Sequence, residues 1–119
     1  MDKVAQKNKK PAAWASVKNA RVAPRKARLV IDQIRGANVV QALGVLENTR
    51  RASNPIVADL LKSAIANASE KDSTVNPDEL VIIEARVDQA RSLKRMRPRA
   101  MGRGSLILKK SSHIYLAIG

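Results

Sequence analysis

Between positions 91 and 110, eight cationic side chains stand without one Asp or Glu among them: Arg91, Lys94, Arg95, Arg97, Arg99, Arg103, Lys109 and Lys110. Guanidinium groups at that density bind phosphate oxygens bidentately and stack on bases, while lysines add compact point charges. A second basic group, Lys18, Arg21, Arg25, Lys26 and Arg28, lies near the other end of the chain. The chemistry on offer is non-covalent recognition of a polyanion. Bond-making chemistry has few candidates, because the chain contains no cysteine and a single histidine, His113. That removes thiolate nucleophiles, disulfides, cysteine–zinc sites and multi-histidine metal sites. His113 follows Ser111 and Ser112 with no acid beside it, a setting for a structural or ligand-packing role more than for a general base.

The whole composition points the same way. A chain of 119 residues that is 45% hydrophobic has room for one modest core. Its 23 Lys and Arg outnumber 10 Asp and Glu, for a formal net charge of +13. Residues 1–28 carry nine cations and one acid, residues 29–88 carry six cations and nine acids, and residues 89–119 carry eight cations and no acid. A merely soluble surface would intersperse its signs; two basic ends around a near-neutral middle call for a polyanionic partner, nucleic acid first. A nucleic-acid-modifying enzyme is the first rival, and it lacks any carboxylate, cysteine or histidine cluster in the basic regions. A binder of membrane surfaces or acidic proteins is the second, and its basic amphipathic helix is missing, since the longest helical segment, with Asp59, Lys62 and Glu70, is close to neutral. No apolar run reaches the roughly 20 residues of a membrane span and no signal-peptide pattern opens the chain. The expectation is a cytosolic protein with no cofactor, no membrane and no small-molecule substrate.

Periodicity supplies the elements that must hold these cations. Residues 1–13 have no apolar period and read as a basic tail, either solubilising or a nucleic-acid arm. Trp14 to Val22 roughly alternate, predicting a short strand. Pro24 suits a first helical position, and Ala27, Val30, Ile31 and Ile34 then share a face up to a stop at Gly36. A second helix is predicted from Val39 to about Asn48. A third starts near Asn54 and Pro55, with a wide stripe from Ile56 to Ala68. A polar loop follows over 70–79. Period-two patterns return from Leu80 to Asp88 and from Ile114 to Ile118. The predicted fold class is α+β: a small three-stranded antiparallel sheet against three helices in a single domain, residues 14–119.

Between the last two strands, globular logic fails. Residues 91–105 offer Leu93, Met96 and Met101 as their only sizeable apolar side chains. If the strands continue outward and turn near Pro98 to Gly104, they make a long protruding β-hairpin over about 86–112, each arm reaching roughly 35 Å. Such a two-stranded ribbon is marginal in water by itself, so an external partner must steady it. Phenylalanine is absent and Trp14 and Tyr115 are the only aromatics, which disfavours aromatic stacking platforms and favours recognition of a folded nucleic acid by shape and phosphate.

Four separated motifs carry a resemblance. Val22 to Val30 through Ile34-Arg35-Gly36, Lys62 to Ala68, Lys94-Arg95 with Pro98-Arg99-Ala100 and Gly102-Arg103, and Ser112-His113-Ile114 closely resemble large-subunit ribosomal protein number twenty-two, a universal family, in its bacterial form. The resemblance covers residues 14–118. It implies an α+β domain with a long hairpin, large-subunit ribosomal RNA and neighbouring large-subunit proteins as partners, a role in subunit assembly, and residence on the ribosome in the cytoplasm. It further implies that the hairpin lines the exit tunnel and meets the nascent polypeptide, with Leu93, Met96, Pro98, Ala100, Met101, Gly102 and Gly104 at its tip. Lys18, Arg21, Arg25, Lys26, Arg28, the eight cations of the ribbon, Ser112 and His113 form the implied RNA-binding set. Met101 and Leu106 depart from the Lys and Arg common at those positions in bacterial members.

Overall fold

Small apolar residues at alternate positions build the first strand, β1 (Ala13–Ala20), whose Ala13, Ala15 and Ala20 turn inward. The computed structural model describes residues 11–119. Ala13 is almost fully buried and pairs with Ile118, so it belongs to the body rather than to the expected tail; residues 1–10 of that tail lie outside the described residues. The strand ends two residues before the predicted Val22, because Asn19 takes a left-handed conformation (φ 59°) and the pairing register shifts between Val17 and Ala20. Asn tolerates that conformation better than most residues, and bulges of this kind end strand pairing.

Helix α1 (Pro24–Ile34) buries Pro24, Ala27, Val30, Ile31 and Ile34, and Gly36 at φ 80° turns the chain out of it. Asn38 caps α2 (Val39–Asn48), its side-chain oxygen accepting from the Val40 N–H at 2.9 Å. The longest helix, α3 (Asn54–Lys71), buries Val57, Leu60, Leu61, Ala64 and Ala68. It continues two residues into the predicted loop, and a short 3₁₀ turn (Pro77–Glu79) follows before β2 (Ile82–Gln89). The last strand, β5 (Ser112–Ile118), occupies the middle of the sheet, antiparallel to β1 on one side and β2 on the other. Ile114, Leu116 and Ile118 on β5 are completely buried. Helix α3 packs on β1 and β5, α1 on β2, and α2 on α3. The core cluster they enclose is made wholly of Ala, Val, Leu and Ile.

Beyond the body runs the ribbon, β3 (Leu93–Pro98) and β4 (Gly104–Lys109), paired antiparallel from Leu93↔Lys109 to Pro98↔Gly104. Its turn contains Met101 (φ 62°) and Gly102 (φ 74°). The arms are not continuous extensions of β2 and β5: both leave strand geometry at Ala90–Ser92 and Lys110–Ser111. A hydrogen bond from the Ala90 N–H to the Ser111 carbonyl at 2.9 Å holds the two arms together there, and both residues are buried. The described chain measures 65 × 25 × 25 Å.

Candidate nucleic-acid interface

Strand alternation divides the ribbon into two unlike faces. One carries Arg95 and Arg97, opposite Ile107 and Ser105, with Leu93 and Lys109 at its root; the other carries Lys94, Met96 and Pro98, opposite Leu108, Leu106 and Gly104. Every residue of β3 is exposed. Met96, Leu106 and Leu108 are 69%, 57% and 47% exposed, a degree of apolar exposure that a free-standing surface rarely retains in one strip. Gly104 leaves room for the Met96 methyl, since a Cβ there would lie 2.5 Å from it. Arg99 and Arg103 flank the turn, the Arg99 N–H donating to the Arg103 carbonyl. Leu93, expected at the tip, is instead at the body end, because its partner in the register is Lys109; Pro98, Ala100, Met101, Gly102 and Gly104 do lie at the turn.

Among the described residues the ion pairs are Arg35–Asp32, Arg86–Glu84 and Arg86–Asp88. All eight ribbon cations therefore stand without a carboxylate partner there. Lys18, Arg21, Arg25 and Lys26, around the junction of β1 and α1, are likewise exposed and unpaired among the described residues.

Two members of the expected set also make bonds within the fold. Arg28 donates from Nε and Nη2 to the Val87 carbonyl, at 3.3 and 3.2 Å. Seven residues on, Arg35 does the same to the Ala85 carbonyl, at 3.2 and 2.9 Å. The spacing puts both guanidiniums on one side of α1, where they cover outward-facing carbonyls of the edge strand β2. Ser112 has no exposed surface, and its hydroxyl donates to the Val22 carbonyl at 2.7 Å; no ligand reaches it. His113 is half-buried, and its Nδ1 accepts from the Asn19 N–H at 3.1 Å across the β1 bulge.

Folding also adds two cations that sequence reading passed over. Arg50 and Arg51, in the turn between α2 and α3, join Arg21 and Lys26 around an open cleft of about 580 Å³ with Leu29 on its wall. No acid lines this cleft. It also borders Ser53 at the start of α3, where the helix dipole adds positive potential. Both arginines fall in the acid-rich middle of the chain, which concealed them; their being the only adjacent Arg–Arg pair in the sequence is the signal that marks them.

No group of three or more His, Asp or Glu among the described residues could hold a metal ion, and no described helix is long and apolar enough to cross a membrane. What the geometry defines is a small α+β body with a basic cleft and a cationic ribbon that has no carboxylate partner among the described residues. Residues 15–119 match the profile of the family ribosomal protein L22p/L17e. The chain is 50% identical over 106 residues to large ribosomal subunit protein uL22 of Oceanobacillus iheyensis, covering 89% of this chain and 93% of that one. It is 47% identical over 106 residues to the protein of the same name from Staphylococcus aureus (strain Newman), covering 89% and 90%. The chain belongs to the ribosomal protein L22p/L17e family, whose members are structural and non-enzymatic.

Proposed function

We propose that this protein is a structural component of the large ribosomal subunit that binds large-subunit ribosomal RNA and assists its assembly, with the ribbon lining the nascent-polypeptide exit tunnel. Neighbouring large-subunit proteins and the nascent chain are its further partners. The observation that carries the reading is the ribbon: eight cations with no carboxylate partner among the described residues, on a two-stranded hairpin without a core. A polyanion supplies both what the charges lack and what the backbone lacks, since RNA phosphates neutralise the guanidiniums and packing against RNA steadies the strands. The two unlike faces support a division of contacts. Arg95 and Arg97, with Arg99 and Arg103 at the turn, face RNA, and the apolar strip of Met96, Leu106 and Leu108 faces the lumen. On the body, Arg25 and the cleft cations Arg21, Lys26, Arg50 and Arg51 hold further phosphates.

The test is retention on large ribosomal subunits after a high-salt wash, followed by charge reversal. Arg95→Glu with Arg99→Glu lowers affinity for large-subunit RNA about tenfold or more. Reversal at Asp59 or Lys62, on the outer side of α3, leaves it within about twofold. Equal effects at the two places, or a chain lost entirely from subunits, refute the reading.

A further inference from the structure

The core of this protein is aliphatic throughout, yet the chain owns one Trp and one Tyr. Both lie on the open face of the sheet, away from the helices. Trp14 on β1 and Tyr115 on β5 stand diagonal to one another in the register. Their rings stack, with centroids 5.9 Å apart and planes inclined by 27°. Arg86, opposite Tyr115 on β2, places its guanidinium 4.4 Å from the tyrosine centroid. The result is an ordered layer, Arg86–Tyr115–Trp14, crossing all three strands. Arg86 is engaged by Glu84 at 3.1 Å and Asp88 at 3.5 Å, two carboxylates to one guanidinium, so the layer offers no unpaired cation and is no phosphate site. Trp14 is nevertheless 52% exposed, a large apolar surface that the fold has no use for in water.

Two open depressions share Trp14 as a wall. One, of about 570 Å³, runs toward α3 and includes Asn67, Glu70 and Lys71; the other, of about 350 Å³, includes Lys18, Asp88 and His113. Asn67 is pinned, its Nδ2 donating to the Trp14 carbonyl at 3.1 Å, which leaves its side-chain oxygen as an acceptor. Each depression thus joins an aromatic ring, a carboxylate and a lysine. Those are the groups that meet a base face, an exocyclic amine and a backbone phosphate.

We propose that this face is a stacking site for an unpaired nucleobase, with Trp14 as the platform, Tyr115 as its support, and Lys18 or Lys71 on the adjoining phosphate. The proposal rests on the RNA-binding function above and adds a mode of contact, base stacking, that phosphate neutralisation does not include. Because Trp14 is already stacked on Tyr115, little side-chain freedom is lost on binding. Trp, Tyr and Arg also favour protein interfaces. The net charge of +13 and the place of Lys18, within the β1 bulge that leads to Arg21 and Arg25, favour RNA.

Trp14 is the only tryptophan, so its fluorescence reports on this site directly. The full chain is titrated with oligoadenylate, with an abasic oligonucleotide of equal length, and with heparin. Oligoadenylate quenches Trp14, and the two baseless polyanions bind without quenching. Trp14→Leu weakens oligoadenylate binding about fivefold or more while leaving the slope of log affinity against log salt unchanged; Trp14→Phe restores most of the loss. Equal quenching by heparin, unaltered affinity in Trp14→Leu, or quenching obtained only with added ribosomal proteins overturns the proposal. Sedimentation with large subunits separates the two failures: RNA binding with a silent Trp14 removes this inference alone, whereas no RNA binding at all removes the function beneath it.

Discussion

A hydroxyl without accessible surface serves only the fold, and Ser112 is such a group. Its bond to the Val22 carbonyl ties the central strand to the chain entering α1. Ser112→Ala leaves that carbonyl unsatisfied in a dry place and lowers stability by about 1–3 kcal/mol. Urea unfolding measures the loss, and affinity for ribosomal RNA stays within about twofold of the unaltered chain. Arg28, on an exposed helix face, also bonds to the Val87 carbonyl of the neighbouring edge strand, a contact that the sequence pattern does not signal. Asp72, just beyond α3, accepts from the Thr74 hydroxyl at 2.6 Å and the Thr74 N–H at 3.0 Å, and these bonds hold its carboxyl below the ordinary value. A carboxyl lowered in the folded state adds stability above its unfolded value, and that contribution is lost as pH falls through the lowered folded one. Thr74→Val removes the larger cause, so an NMR titration finds Asp72 shifted upward toward the ordinary carboxylate value.

At the scale of elements, the helices were the most legible part of the chain, since an apolar stripe at helical spacing can be satisfied in one way only, by a face laid against a core. Leu61, fully buried beneath α3, anchors that arrangement, and Leu61→Ala lowers stability by about 2–5 kcal/mol in chemical denaturation. The ribbon was legible as a hairpin but not in its division from the sheet. That division falls at Ala90–Ser92 and Lys110–Ser111, where a bond joins Ala90 to Ser111, twenty-one positions apart in sequence, and no local pattern signals it. Lacking any buried side chain in β3, the ribbon opens independently of the body. Amide exchange of residues 93–109 in the free chain is therefore fast while that of Ile114 and Leu116 is slow, and bound RNA brings protection to the ribbon. Equal protection in the free chain contradicts this account.

For the molecule as a whole, charge governs association. With cations on the ribbon, at the start of α1 and around the Arg50–Arg51 cleft, several phosphates are neutralised together, so affinity for ribosomal RNA falls roughly a hundredfold or more between 50 and 200 mM salt. Arg50→Glu with Arg51→Glu makes that salt dependence shallower, which binding isotherms at three ionic strengths detect; an unchanged slope excludes the cleft. The amino-acid order by itself pointed to a polyanionic partner and determined the α+β layout and the existence of a cationic hairpin, because net charge and apolar period are summed along the chain and need no partner in space. Tertiary structure alone decided which described cations stand without a carboxylate, that Arg28 and Ser112 bond within the fold, that Arg50 and Arg51 join Arg21 and Lys26, and that two scattered aromatics meet on one sheet face. Those outcomes depend on which groups approach within a few ångströms across distant positions, and such distances are set only when the strands pair.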